Sequence, residues 1–160
     1  MNLLFRKYCP QDFESICEIF SLSKKVEMSY SGIGIEIISL EKDEKLKSDF
    51  DNSQIIVAVL GEEILGFAGN NNDYISFMFV HPDYFGKGIG KALIMEVLIN
   101  SQHVHLAVLK ENIPAINLYK SFGFKIEKEF EGVYNGIKCK ALKMVKYILE
   151  IIPESEIIVA

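Results

Sequence analysis

The sequence predicts an α/β (α+β) protein with a central sheet of about seven strands flanked by about four helices. Apolar runs of strand length recur along the chain, and turns rich in glycine or asparagine separate them. Segments with apolar residues at helical spacing interrupt this series. A chain of 160 residues is long enough to form one domain with a buried core.

The first third of the chain predicts one strand and two helices. Pro10 can begin the first helix, because the fixed φ of proline suits the first helical turn. Apolar residues then recur at i, i+3, i+4 and i+7, which gives this helix one buried face that includes Cys17. The predicted elements are a strand at 3–7, this helix with Phe13, Ile16, Cys17 and Phe20 on its buried face, and a second helix near 40–50.

The middle of the chain predicts three consecutive strands. Gln54–Leu60 is apolar on both faces, as expected of a strand that is covered on both sides. Gly61-Glu62-Glu63 forms a turn, after which 64–69 returns antiparallel. Asn70-Asn71-Asn72 turns the chain again before a third strand at Tyr74–Val80.

The second half of the chain predicts two helices and three strands. Asn112 is a good helix cap, Pro114 lies in the first turn, and Gly123 ends the helix. The other predicted elements are a helix at 89–100, a strand at His103–Leu109, and a hairpin of Lys125–Tyr134 and Ile137–Tyr147 about Asn135-Gly136.

A glycine-rich segment follows the third of the middle strands. Gly86, Gly88 and Gly90 occupy every second position, and an amphipathic helix begins directly after them. Glycines let the backbone approach an anion closely, and the free N–H groups and dipole of a helix N-terminus favour that anion. The segment therefore predicts binding of a phosphorylated ligand.

Two nucleotide-binding loops do not fit this segment. A P-loop needs four residues between its glycines and then Lys and a hydroxyl residue, whereas three residues separate Gly86 from Gly90 and Ala92 lies at the hydroxyl position. A dinucleotide fingerprint needs a small last residue, and here Lys91 or Leu93 occupies that position. Binding of ATP or NAD is therefore disfavoured.

Two segments together resemble the signature of the Gcn5-related N-acetyltransferase (GNAT) family. Phe85-Gly86-Lys87-Gly88-Ile89-Gly90, after Val80-His81-Pro82, resembles the family's acyl-coenzyme A (CoA) loop, Arg/Gln-x-x-Gly-x-Gly/Ala. Asn112-Ile113-Pro114-Ala115-Ile116-Asn117-Leu118-Tyr119-Lys120-Ser121-Phe122-Gly123-Phe124 resembles the family's N-x-x-A-x-x-x-Y-x-x-x-G-F. The resemblance covers roughly 2–147. It implies a mixed, mostly antiparallel sheet in a domain at 1–147, with an apolar C-terminal extension at 148–160.

The same resemblance implies that acetyl-CoA is the co-substrate. In the family, the strands before the third and fourth helices splay apart, and the pantetheine arm lies in the gap. Here the loop backbone is expected to hold the pyrophosphate, with Lys87 or Lys91 either adding charge or lying on a solvated rim. Phe85 replaces the usual Arg or Gln. The predicted cofactor-binding residues are Met78, Phe79, Val80, Phe85, Gly86, Lys87, Gly88, Ile89, Gly90, Lys91, Asn112 and Tyr119.

Tyr119 is the predicted catalytic residue. The equivalent tyrosine of the family protonates the departing CoA thiolate. A thiol with a pKa of ~8.5 is a tolerable leaving group, and a neutral phenol with a pKa of ~10 can donate to it. The alternative is a core tyrosine, since Tyr119 lies on the apolar face of its helix.

No single general base stands out in the sequence. Family members that acetylate protein N-termini often carry Glu five residues before the motif asparagine, where this chain has Ala107. The candidates are Asp73, His81, His105 and Tyr134, acting directly or through water.

The acceptor is the least defined part of the prediction. In this family the segment 26–51 forms the substrate wall, and here it holds Glu27, Tyr30, Glu36 and Glu41. The hairpin residues Tyr134 and Asn135 are expected to close the other side. The predicted function is N-acetylation of a primary amine on a small molecule or peptide, with a non-catalytic acyl-CoA-binding module as the alternative.

Composition disfavours several other classes of protein. A net charge of −5 and a pI near 5.3 disfavour nucleic-acid binding, and no apolar run approaches the ~20 residues of a membrane span. Cys9, Cys17 and Cys139 have no metal-ligand spacing and suggest reduced thiols in the cytoplasm. The apolar tail at 148–152 and 157–160 predicts pairing with a sheet edge that supports a homodimer.

Overall fold

The predicted series of strands and helices is present in the structure. The computed structural model describes residues 2–99, 101–147, 154–156 and 158–159. Most of the predicted C-terminal extension, and with it the predicted edge pairing, lies outside the described residues. The strands are β1 (Leu4–Lys7), β2 (Gln54–Leu60), β3 (Glu63–Asn71), β4 (Tyr74–Val80), β5 (His103–Leu109), β6 (Lys125–Tyr134) and β7 (Ile137–Tyr147). The α-helices are α1 (Phe13–Ser29), α2 (Glu44–Asp51), α3 (Ile89–Leu98) and α4 (Ile113–Ser121).

The first two helices differ most from their predicted bounds. Pro10–Asp12 forms a short 3-10 turn, and α1 then extends well beyond the predicted apolar repeat, to Ser29. The second helix begins at Glu44, because the Asp43 carboxylate caps it by accepting a hydrogen bond from the Leu46 N–H at 3.1 Å.

The seven strands form one mixed sheet in the order β1-β2-β3-β4-β5-β7-β6. Neighbouring strands are antiparallel except for the parallel pair β4 and β5. This arrangement confirms the predicted fold class. The edge strand β6 alternates lysine and glutamate along much of its length, a pattern that discourages pairing with another chain.

Two hydrophobic cores lie on opposite faces of the sheet. The core under α3 and α4 includes Leu93, Ile116 and Tyr119. The core under α1 and α2 includes Phe20, Phe50 and Phe67, and the partly buried Cys17 packs against it as predicted. The two cores hold the sheet between two helical layers.

The parallel strands β4 and β5 separate soon after they meet. Within the described residues they pair at a single position, Tyr74 with His105, where the His105 N–H donates to the Asp73 carbonyl at 2.9 Å. Beyond this point the β4 edge that faces β5 has no strand partner, so a gap opens in the sheet.

Among the residues that the structure describes, no helix is long and apolar enough to cross a membrane.

Candidate active site

Two cavities meet in the gap between β4 and β5. The loop cavity, about 730 Å³, lies between α1, the 84–91 loop and α4. The hairpin cavity, about 410 Å³, lies between α1, α2, the two splayed strands and the β6–β7 hairpin. Four residues line both cavities: Glu27, Met78, Phe79 and Asn112. The two cavities therefore meet at these four residues.

The loop cavity has the backbone geometry of an anion site. Gly86 and Gly88 adopt left-handed φ angles of 75° and 82°, which residues with a Cβ rarely adopt. Gly88 is the N-cap of α3, so the N–H groups of the first helical turn have no partner within the helix, and that turn lines the cavity. A phosphate can accept hydrogen bonds from these groups.

The residues of the loop cavity fit an acyl-CoA. Met78, Phe79 and Val80 provide an apolar wall with an unpaired strand edge, to which an extended amide arm can hydrogen-bond. The volume lies in the range of natural ligand pockets, roughly 300–1,000 Å³. Ten of the twelve predicted cofactor residues line this cavity: Met78, Phe79, Val80, Phe85, Gly86, Gly88, Ile89, Gly90, Lys91 and Asn112.

The other two predicted residues lie elsewhere. The Lys87 ammonium lies 5.0 Å from the centre of the Tyr84 ring, and Lys87 is not among the residues that line the loop cavity. This position agrees with the alternative of a lysine on the loop rim. Tyr119 lines the hairpin cavity instead. Phe85 is 45% exposed at the mouth of the loop cavity.

Asn112 both caps a helix and faces the site. Its Oδ1 accepts a hydrogen bond from the Ala115 N–H at 3.3 Å, at the start of α4. The same residue lines both cavities. The two roles considered for Asn112 are therefore compatible.

Tyr119 belongs to the core and also reaches the hairpin cavity. The side chain is 7% exposed, and its ring packs against Phe124 with centroids 5.7 Å apart. Burial raises the pKa of Tyr119 well above its ordinary value, and the negative charge of Glu27 adds to this shift. The phenol therefore stays protonated at neutral pH, as a proton donor must.

Glu27 and Lys24 form an ion pair on the inner face of α1. The Lys24 Nζ lies 3.3 Å from each Glu27 carboxylate oxygen. The same ammonium lies 5.0 Å from the centre of the Tyr134 ring and 5.9 Å from that of Phe79. Both charged side chains are largely shielded from solvent, at 17% and 20% exposure. Their electrostatic interactions are therefore stronger than those of an ordinary surface pair.

The sequence patterns did not single out this ion pair. Glu27 was assigned only to the substrate wall, and Lys24 had no predicted role. A signal exists, because continuing the buried face of α1 by one turn beyond Phe20 leads to Ser23 and Lys24, and the next turn leads to Glu27 and Met28. Two charged residues on an otherwise buried helix face indicate a site.

The four base candidates fall into two groups. Tyr134 lines the hairpin cavity, where its oxygen accepts from the Ile38 N–H at 3.3 Å and burial raises its pKa. Neither cavity is lined by Asp73, His81 or His105. The His81 Nδ1 accepts from the Asp83 N–H at 3.1 Å, and burial lowers the pKa of His105 beside Tyr74.

The hairpin tip contacts the predicted substrate wall. The Asn135 amide donates to the Glu36 carbonyl at 3.0 Å, next to the contact between Tyr134 and Ile38. Of the other wall residues, Tyr30 lines the loop cavity, whereas Glu36 and Glu41 line neither cavity.

The described part of the chain contains no cluster of three or more His, Cys, Asp or Glu that could hold a metal ion.

Comparison with known proteins gives consistent results. The profile of the acetyltransferase (GNAT) domain matches residues 51–126. The chain is 25% identical over 130 residues to the uncharacterized N-acetyltransferase YafP of Escherichia coli, covering 80% of this chain and 85% of that protein. It is 34% identical over 85 residues to the peptidyl-lysine N-acetyltransferase YjaB of Salmonella typhimurium, covering 52% of this chain and 59% of that protein.

A solved structure has the same fold. It is the structure of yncA, a putative acetyltransferase from Salmonella typhimurium, with its cofactor acetyl-CoA. The TM-score is 0.68 and the sequence identity is 17%, and the match covers 96% of this chain and 98% of that one. The matched domain profile includes β2 to β5, the glycine loop and α4, which contribute the splayed strands and much of the lining of the loop cavity. Together with the mixed, splayed sheet, these matches show that the chain is similar to proteins of the Gcn5-related N-acetyltransferase (GNAT) family.

Proposed function

We propose that this protein transfers an acetyl group from acetyl-CoA to a primary amine of a small molecule or peptide, directly within a ternary complex. The observation that supports this proposal is the meeting of two cavities in the gap between β4 and β5. One cavity has a backbone cradle for an anion, and the other is lined by a largely shielded carboxylate and a buried phenol. Two substrates can meet there without a covalent enzyme intermediate.

The chain binds and orients the two substrates. When bound, acetyl-CoA supplies the acetyl group as a reactive thioester. The N–H groups at the start of α3 hold phosphate oxygens, and the open edge of β4 fixes the extended arm. The apolar side chains of Met78 and Phe79 exclude water from the junction, which limits hydrolysis.

Proton transfer accompanies the exchange of bonds. A bond forms between the amine nitrogen and the carbonyl carbon, the carbon–sulfur bond breaks, and the nitrogen loses a proton. Tyr119 gives its phenolic proton to the sulfur as negative charge develops there. The raised pKa of Tyr119 keeps the phenol protonated at neutral pH, so the proton is present before the reaction begins.

We propose an aliphatic primary amine as the acceptor. YjaB is named a peptidyl-lysine N-acetyltransferase, and a lysine side chain ends in such an amine. The hairpin cavity already holds a primary ammonium, that of Lys24, between a carboxylate and two aromatic rings. Carboxylates and aromatic faces are both favourable partners for an ammonium group.

The proposal is tested by measuring CoA release from acetyl-CoA with a thiol reagent, across a panel of amines and lysine peptides. Wild type, Tyr119→Phe and the control Tyr147→Phe are compared, because Tyr147 is 71% exposed and lines neither cavity. We expect turnover with one amine class, a fall of at least ~10-fold in kcat (~1.4 kcal/mol) for Tyr119→Phe, and no change for the control.

A non-catalytic acyl-CoA-binding module is the second candidate function. Phe85 favours it, since this side chain replaces the polar residue usual at the loop and stands exposed at the cavity mouth. The same assay separates the two functions. Tight acetyl-CoA binding with no release for any amine supports the module, and absence of binding contradicts both.

We propose that the protein acts in the cytoplasm. Cys9, Cys17 and Cys139 are all free thiols in the structure. Reduced thiols are typical of that compartment.

A further inference from the structure

Glu27 has a position that no other acidic or basic residue shares. Within the described residues it is the only Asp, Glu or His that lines either cavity, and it lines both. We propose that Glu27 is the general base that takes a proton from the acceptor ammonium, and that Lys24 occupies the ammonium position until the acceptor displaces it. This inference rests on the proposed acetyltransferase function.

The junction of the two cavities is where a base has to act. The acceptor nitrogen has to approach the thioester there, since the loop cavity holds the donor and the hairpin cavity holds the acceptor. Met78, Phe79 and Asn112 are the other residues common to both cavities, and none of them takes up a proton at neutral pH. Glu27 therefore has both the position and the chemistry.

The contacts of the Lys24 side chain indicate what kind of ligand can bind beside Glu27. Its ammonium lies 3.3 Å from each Glu27 oxygen and faces the Tyr134 and Phe79 rings at 5.0 and 5.9 Å. A lysine side chain is itself an aliphatic primary amine on a flexible stem. The chain therefore forms, within its own hairpin cavity, the set of contacts that an acceptor ammonium needs.

The β5 wall of the hairpin cavity carries no carboxylate. The β5 residues that line this cavity are Leu106, Ala107, Val108 and Leu109. Glu27 provides a carboxylate to the same cavity from α1. A helix residue can thus supply the carboxylate that the strand lacks.

The protons balance between Glu27, Tyr119 and solvent. An acceptor arrives as an ammonium, R–NH₃⁺, and Glu27 takes one proton to give the neutral amine that attacks. The nitrogen–carbon bond forms, the carbon–sulfur bond breaks, and the nitrogen loses a second proton to solvent. Tyr119 protonates the sulfur and regains a proton from solvent, and Glu27 releases its own when the product leaves.

Several titratable groups line the two cavities together with Glu27. Those that share the hairpin cavity are Lys24, Lys45, Tyr74, Tyr119, Tyr134 and Cys139. Those on the side of the loop cavity are Tyr30, Tyr84 and Lys91. The two lysines are the only cationic groups among the described residues of the hairpin cavity.

The test compares Glu27→Gln, Glu27→Asp and the control Glu18→Gln at several pH values. Glu18 is exposed on the outer side of α1 and lines neither cavity. We expect kcat/KM of Glu27→Gln with a lysine peptide to fall by about 10²-fold or more at pH 7, and that of the control to stay unchanged. Partial activity in Glu27→Asp indicates a need for a carboxylate.

The pH profile separates a base from a structural role. Wild-type kcat/KM is expected to stay nearly level from pH 7 to 9, because Glu27 makes the neutral amine inside the site. Without this base, only amine that is already neutral reacts, and its fraction rises about tenfold per pH unit below a pKa of ~10.4. A Glu27→Gln profile as level as that of wild type contradicts the proposal.

Lys24→Met tests the displacement, with Lys25→Met as control. Lys25 is the next residue along α1 and is exposed. We expect Lys24→Met to lower KM for the acceptor several-fold, since no internal ammonium then competes, and Lys25→Met to leave it unchanged. A raised KM in Lys24→Met contradicts the displacement.

The two proposals fail in different ways. If wild type releases no CoA with any amine, the acetyltransferase function is wrong. If wild type turns over and Glu27→Gln, with unchanged melting temperature and acetyl-CoA affinity, turns over equally well, then only the role of Glu27 is wrong.

Discussion

Asp12 anchors the start of α1 through its charge. Its carboxylate accepts hydrogen bonds from the Arg6 Nη1 and Nη2 at 2.7 and 2.9 Å, and from the Cys9 N–H at 2.9 Å. The side chain is 7% exposed. The Arg6 guanidinium lowers the pKa of Asp12 from 3.8 to about 2, against the opposing effect of burial. The ionised form is therefore favoured in the folded state.

Asp12→Asn is expected to destabilise the protein in a pH-dependent way. Because the folded pKa lies below the unfolded one, the stabilisation is complete above pH ~4 and is lost as pH falls towards 2. Urea unfolding should show a loss of about 2 kcal/mol at pH 7 that shrinks at pH 3. Asp51→Asn is the control, since Asp51 pairs with Lys47 on the surface and should change stability by under ~1 kcal/mol. A loss that is equal at both pH values contradicts this account.

Individual site residues were predictable where backbone chemistry restricts the residue type. Gly86 and Gly88 adopt the left-handed conformation that the phosphate-loop interpretation requires, and Asn112 caps its helix. Lys24 and Glu27 were not predictable as a pair. Their roles depend on how far α1 continues and on which strands its last turns face, and local patterns do not specify either.

The turn into α3 is the element on which the proposed donor binding depends. Gly88 has a φ of 82° and ends the loop as the N-cap of that helix, so it sets the direction of the first N–H groups. A Cβ at Gly88 would meet nothing within 4 Å, so the backbone conformation alone opposes a side chain there.

Gly88→Ala should therefore act through the backbone. We expect a loss of about 1 kcal/mol in unfolding free energy and a several-fold weaker acetyl-CoA affinity, measured by denaturant titration and calorimetry. Gly88→Asn should lose less, because asparagine tolerates this conformation better. Gly34→Ala is the matched control, because Gly34 also has open space around it but has no left-handed φ. An acetyl-CoA affinity equal to that of wild type would show that this turn does not hold the donor.

Strands were predicted more closely than helices for a physical reason. Gln54–Leu60 and Tyr74–Val80 are bounded by glycine, proline or asparagine, which mark the turns directly. The end of α1 and the start of α2 have weaker sequence signals. Apolar residues in 21–51 do not recur at a regular spacing, and the start of α2 depends on the Asp43 cap.

At the scale of the whole molecule, the gap between β4 and β5 connects fold to function. A continuous parallel pair would close the sheet and bury the edge to which we propose that the donor binds. Only the first position pairs, and each strand then follows its other neighbour, β3 or β7. The family resemblance predicted this separation, whereas the separate strand patterns of β4 and β5 did not, because register between distant strands is set by tertiary packing.

Truncation after Tyr147 tests the proposed division of the chain into a domain at 1–147 and an extension at 148–160. Every buried residue of the two cores lies between Ile16 and Met144, so the shortened chain should unfold cooperatively and keep its acetyl-CoA affinity. If the apolar extension supports a homodimer, light scattering should show the mass fall from that of a dimer to that of a monomer. An unchanged mass excludes that role for the extension. A loss of cooperative unfolding would instead show that the domain needs residues beyond Tyr147.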